Sequence, residues 1–222
     1  MRTALRGLGQ TLITFGVVLL LFCAYELWIT GLYTHREQGR LHRELVREWA
    51  GPRPPSLVPH RRPAPALGTG IAVIYIPALG PDYQKVVVEG VGVPDLKRGP
   101  GHYPGTALPG EVGNVVISGH RTTYGAPFNQ LDVLRVGDAI VLETRDSYFT
   151  YRVTGQQIVT PTSVEVTYPV PGHRGAVPTQ RLLTLTTCNP KYSAAQRLVV
   201  RAVLESPMAK AGDRLPPALT GG

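Results

Sequence analysis

The stretch Asp138-Ala139-Ile140-Val141-Leu142-Glu143-Thr144-Arg145-Asp146-Ser147-Tyr148-Phe149-Thr150-Tyr151-Arg152-Val153-Thr154 decides the class of the fold. Two runs rich in β-branched and aromatic residues, 138–143 and 148–154, flank the polar segment 144–147, which is the pattern of a β-hairpin. Working outward, strands of the same kind are predicted at Ile71–Ile76, Lys85–Glu89, Asn114–Ser118, Gln156–Thr160, Arg181–Thr187 and Arg197–Leu204. Each is short and bounded by Gly, Pro, Asp or Asn. Helical signals in this region are few: a turn near Pro94–Arg98, and Phe128–Leu134 after Pro127. The 222 residues include 25 Gly and 21 Pro, a density of breakers that excludes a helical bundle. About eight short strands with few helices predict an all-β domain, either a closed barrel or a sandwich. The long loop Pro161–Thr179 stands out, since loops of that length are usually functional or disordered.

The amino-terminal part reads differently. Between Arg6 and Glu26 lie nineteen residues without a charge, enough to cross a bilayer as a helix. The apolar run continues through Trp28 and Tyr33, so residues 1–33 read as a short tail and an uncleaved transmembrane signal-anchor rather than a cleaved signal peptide. Basic residues flank the span on both sides, and charge alone does not orient it. Residues 34–69 read as a charged helix, with Leu41, Leu45 and Trp49 on one stripe, followed by a stalk. That stalk, from Gly51 to Thr69, holds six prolines, is expected to be extended, and is expected to be dispensable for chemistry. A globular domain is then predicted over 70–206, with a disordered tail over 207–222. The net charge of +8 is spread along the chain without an aromatic-interleaved basic stretch, so a nucleic-acid partner is not expected.

Two cysteines are present. Cys23 falls inside the apolar span and Cys188 in the strand domain, so they are not expected to pair. Cys188 ends a predicted strand just before Asn189-Pro190, at a rim where Pro stops a central ladder. If the next strand pairs with it through the loop 189–196, Cys188 lies opposite Arg197. A guanidinium there would favour the thiolate and could bind a developing oxyanion. An inert buried cysteine and a solvated arginine are the bland alternatives. Among the six histidines, His35, His42 and His60 lie in the membrane-proximal helix and stalk, and His102 and His173 in Gly/Pro-rich loops. His120 ends an apolar strand, where acid-base chemistry at a rim would need it.

The local sequences carry more. Thr184-Leu185-Thr186-Thr187-Cys188 followed by Arg197 resembles the TLxTC…R signature of sortases, and Ile117-Ser118-Gly119-His120-Arg121 resembles the strand end that carries their histidine. GHRTTYGAPF and TTCNPKYSAAQRLVV are similar to class E sortases of high-GC Gram-positive bacteria. The resemblance spans Gly70 to about Leu204. It implies a closed eight-stranded sortase-type β-barrel with one or two short helices behind an N-terminal transmembrane helix. It also implies a cysteine transpeptidase anchored in the cell membrane, amino terminus cytoplasmic and catalytic domain outside. By the same resemblance Cys188 is the nucleophile, His120 the general acid/base and Arg197 the residue positioning substrate and oxyanion. Tyr124 would then line the pocket for the signal's second residue. No metal or cofactor is implied. The partners implied are proteins with an LAxTG-like sorting signal, cut between Thr and Gly, and a peptidoglycan-precursor (lipid II-type) amine. Ala218-Leu219-Thr220-Gly221 half-matches such a signal and reads as a chance match. A secreted cysteine hydrolase and a non-enzymatic stalked binding module are the competing classes.

Overall fold

The computed structural model describes residues 2–25, 30–52 and 64–221. Strands β1 (Gly70–Tyr75), β2 (Gln84–Glu89), β3 (Gly101–His102), β4 (Gly113–Ser118), β5 (Ala139–Glu143), β6 (Ser147–Val159), β7 (Arg181–Asn189) and β8 (Gln196–Ala209) close into a barrel in the order β1-β2-β3-β4-β7-β8-β6-β5. Closure removes both sheet edges. The hairpin 138–154 is β5 and the first half of β6, with Glu143 opposite Tyr148. Alternation sends Val115, Ile117, Leu183, Leu185, Leu198 and Val200 into one buried core with Tyr151 and Phe128, and the residues between them to the outer wall.

The expected eight strands are present in number but differ in two places. The two strands predicted at 148–154 and 156–160 are one continuous 13-residue strand, β6. A bulge between Val153 and Gly155 takes up the irregularity, and a glycine there bends a strand without ending it. The missing eighth is β3, two residues long, too short to leave a periodic signal. Phe128–Leu134 forms a 3-10 turn at Leu131–Val133, and Val93–Leu96 is the short helix α3.

Helix α1 (Arg2–Ala24) is, among the described residues, the one helix long and apolar enough to cross a membrane, with a mean hydropathy of 1.6 over Arg6–Cys23. Helix α2 spans Thr30–Ala50, so Tyr33 belongs to it. The Pro-rich segment 53–63, read as the stalk, lies outside the described residues. Rather than projecting, α2 lies along the barrel. Its stripe residues Leu41 and Leu45 are buried against Val73, Val86 and Val88, outward-facing residues of β1 and β2. The runs IAVIYI and VVV in those strands are apolar at consecutive positions, which is what a strand covered on both faces requires. Polar bonds fix the helix axially: Thr34 Oγ1 donates to Lys97 O at 2.8 Å, and Gln38 Nε2 to Arg98 O at 2.8 Å. In return the Val86 amide donates to Gln38 Oε1 at 2.7 Å.

At the other end of the chain β8 runs to Ala209, pairing Pro207 with Phe149 and Met208 with Tyr148, five residues past the expected strand end and three past the expected domain boundary. Lys210 then ion-pairs with Glu143 at 2.5 Å and lies 4.2 Å above the Trp49 ring. The start of the predicted disordered tail therefore clasps α2 to β5.

Candidate active site

Strands β4 and β7 run parallel with Ser118 beside Thr186. Carrying that register two residues on sets His120 next to Cys188. The junction beyond the last ladder pair is itself bonded: the Gly119 amide donates to Thr186 O at 3.1 Å, and Thr187 Oγ1 donates to Gly119 O at 2.7 Å. Strands β7 and β8 are antiparallel, and Cys188 is opposite Arg197, as the sequence predicts. Directly opposed residues share a face. His120, Cys188 and Arg197 thus meet on the outer wall at one end of three adjacent strands, all three half-buried.

The glycine before the histidine has a steric reason. A Cβ on Gly119 would stand 2.6 Å from the Phe128 ring, a fully buried core residue whose amide donates back to His120 O at 3.0 Å. Phe128 closes the loop that begins at His120, and only a residue without a side chain admits it. Within this loop Tyr124 takes a positive φ of 50° and lays its ring 5.0 Å from the imidazole of His120. Lys97 Nζ lies 5.4 Å from the other ring, that of Tyr124. Burial, and then the nearby Lys97 charge, hold His120 below the usual histidine range, so the neutral imidazole is favoured.

Arg197 is turned toward its own loop. Its Nη1 donates to Ala194 O and to Gln196 O, both at 2.9 Å. Among the described residues Nε and Nη2 have no hydrogen-bond partner, which leaves one edge of the fork free for a carbonyl or oxyanion.

Sequence reasoning missed Arg121. Although adjacent to His120 and charged, it is buried. Its Nη1 donates to Cys188 O at 3.1 Å and to Asn189 Oδ1 at 2.6 Å, and its Nη2 pairs with Asp132 at 3.1 Å. One guanidinium therefore ties the end of β4 to the end of β7. The sequence signal available was only that an arginine follows the histidine. Missed as well was His102, expected in a loop but buried in β3. It stands 2.7 Å from Glu89 Oε2, and its other ring nitrogen is 3.0 Å from Ala107 O. The Thr106 hydroxyl also lies 2.9 Å from Nε2, so both ring nitrogens are engaged inside the barrel wall.

The loop 161–179 starts beside the site, since Val159 pairs with Arg197, and ends at the far end of the barrel. There Asn114 Nδ2 donates to Val166 O and Tyr168 O at 3.0 and 3.1 Å. Only its first residues border the candidate site. Among the described residues no group of three His, Cys, Asp or Glu is arranged to hold a metal ion.

These features agree with what the chain resembles as a whole. Residues 74–205 match the family model described as the sortase domain. The chain is 38% identical over 219 residues to sortase SrtE1 of Streptomyces coelicolor, across 93% of this chain and 59% of that protein. It thus spans under two thirds of that relative's length. Two solved structures superpose closely. The SrtF sortase of Corynebacterium diphtheriae has a TM-score of 0.69 at 37% identity, covering 76% of this chain and all of that one. Sortase E from Streptomyces avermitilis has a TM-score of 0.63 at 44% identity, covering 70% and 99%. On the closed eight-stranded barrel and these matches together, the chain belongs to the sortase family, in its class E branch.

Proposed function

We propose that this protein is a membrane-anchored cysteine transpeptidase. The observation that carries the reading is the register: Ser118 pairs with Thr186 on parallel strands, two residues before His120 and Cys188, and Arg197 lies opposite Cys188 on the next strand. No other cysteine lies in the barrel.

The chemistry runs in two half-reactions. The Cys188 thiol passes its proton to the neutral His120, and the resulting thiolate sulfur attacks the carbonyl carbon between Thr and Gly of an LAxTG-like sorting signal. The carbonyl oxygen becomes an oxyanion, and the free edge of Arg197 donates to it. Collapse breaks the C–N bond, and His120 gives its proton to the departing glycine amine, leaving a thioester on Cys188. In the second half an amine of a cell-wall precursor attacks the thioester and loses a proton to His120. The new amide departs and the thiolate is regenerated. Tyr124, against His120, forms part of the pocket for the signal's second residue. Helix α1 spans the membrane with the amino terminus inside, so that both substrates are met outside the cell.

The test incubates the protein with an LAxTG peptide, with and without an oligoglycine or diamino-acid amine. The reading expects a thioester on Cys188 by mass spectrometry and an amide product only when amine is added. Release to water with no amide would leave a hydrolase, and no reaction would leave a binding module. Protease added to intact protoplasts should remove the barrel; full protection would overturn the topology.

A further inference from the structure

Between α2 and the barrel lies a cavity of about 490 Å³. One wall is a face of α2 carrying Thr34, His35, Gln38, His42 and Arg43; the other is β2, with Lys85, and the Tyr124–Pro127 turn. The charges around it do not balance. On α2, Glu37 is engaged by Arg40 and Arg98, and Glu44 by Arg40. Arg43 and Lys85 have no carboxylate partner among the described residues, and Lys85 has only the Tyr83 ring 5.7 Å away. The single acid lining the cavity is Asp82, which is exposed, as Arg43 and His35 are, while His42 and Lys85 are half-buried. Two cations without a bonded carboxylate, in excess of the one lining acid, together with two imidazoles able to donate, are the donor set for a phosphate or diphosphate anion.

Position narrows the ligand. Tyr124 lines this cavity and also packs on His120, so an anion held here lies one aromatic ring from the acid-base. Gly31, at the start of α2, lines it too. It lies seven residues beyond Ala24, where the apolar helix α1 ends, so this end of the cavity is within about 25 Å of that terminus.

We propose that this cavity holds the phosphate-bearing part of the amine acceptor. A membrane-linked diphosphate would sit on Arg43, Lys85, His35 and His42, while the amine it carries reaches past Tyr124 to the thioester. The acceptor's identity rests on the transpeptidase reading; the anion site itself does not.

The test uses the full chain in detergent, as the Cys188→Ala variant, with inorganic pyrophosphate as probe and the imidazole NMR signals of His35 and His42 as readout. Saturable shifts of both signals are expected. The double variant Arg43→Gln/Lys85→Gln should weaken binding at least about tenfold, on the scale of lost charge-assisted hydrogen bonds, and Arg43→Lys should restore part of it. No saturable shift, or equal affinity in the double variant, overturns the site. Phosphatidylglycerol vesicles should not displace pyrophosphate. Displacement by them would make the cavity a general lipid contact and overturn the acceptor assignment. With active protein, pyrophosphate should raise the KM for a diphosphate-linked amine while thioester formation continues at its own rate. A KM that stays constant overturns the assignment. If the active protein forms no thioester at all, the transpeptidase reading fails while the pyrophosphate result on the inactive variant stands by itself.

Discussion

Arg121 donates from Nη1 to the carbonyl oxygen of Cys188 at 3.1 Å, so the residue after the candidate base holds the backbone of the candidate nucleophile. A buried guanidinium that need not touch substrate therefore ties the chain after β4 to the end of β7. Two parallel strands alone fix their register but leave their ends free to splay. This contact, with Thr187 on Gly119, removes that freedom.

Arg121 is accordingly predicted to be a positioning residue. Arg121→Met should lower kcat by about tenfold or more and reduce stability by about 1.5–3 kcal/mol, the scale of hydrogen bonds to a charged group. Arg121→Lys should recover stability more than activity, since it restores charge but not the fork. A merely structural role would move the melting temperature and leave kcat and the alkylation rate of Cys188 in place.

Cys188→Ala should abolish turnover and His120→Ala should come close to doing so. Arg197→Lys should lose roughly 10²-fold, the scale of one lost oxyanion donor. In the folded protein Cys188 should alkylate, and an LAxTG peptide should slow that reaction. A cysteine that alkylates only after denaturation, with turnover surviving its removal, would end the nucleophile assignment.

Lys97 should set the acid side of His120 titration. Burial and the Lys97 charge both lower the imidazole's pKa, so Lys97→Met should raise it toward the ordinary histidine range. The measurement is an imidazole NMR titration in the Cys188→Ala background, where coupling to the thiol is absent. Because the folded pKa lies below the unfolded one, the unfolded chain binds the extra proton first. His120 thus costs no stability above about pH 6.5, and destabilises progressively as pH falls from there through its folded pKa. Lys97→Met should shrink that acid loss.

Removing α2 should damage the fold. A chain beginning at Gly70 would expose Val73, Val86 and Val88, which Leu41 and Leu45 now cover. Leu41→Ala and Leu45→Ala should each cost about 2–5 kcal/mol, read as a shift in the urea midpoint. A chain from Gly70 that unfolds at the same midpoint would show this cover to be idle.

Tyr124→Phe should narrow the preference between Ala and Pro at the signal's second position and leave the maximal rate close to normal, because the ring on His120 is kept while a selecting hydroxyl is lost. Unchanged discrimination in a peptide competition would remove the tyrosine from the specificity pocket.

The candidate catalytic end was legible because it is local. Alternation ending at Cys188, a following proline and an arginine one loop later specify a hairpin and its facing pair. Placing His120 beside them required the parallel β4–β7 pairing, which no periodicity reveals, and only the resemblance supplied it. Arg121 escaped because its partners, Cys188 and Asp132, are near only once the barrel closes. The cover by α2 is written in the consecutive valines of β2, but the charge pattern of the helix does not show which strands its apolar stripe meets. The clasp of Lys210 on Trp49 joins residues 161 positions apart, beyond any local pattern.

The parallel pairing of β4 and β7 also orders events in time. Two parallel neighbours cannot be joined by a tight turn; here β5, β6 and the loop to Arg181 intervene. A chain folded only as far as Val159 has His120 but no barrel thiol to stand beside it. Since β7 closes between β4 and β8, the sulfur and the imidazole come together in the same step that seals the barrel wall. Such long-range closure is slow compared with hairpin formation. The candidate pair is therefore assembled only when the fold is complete, and no partly folded chain carries it.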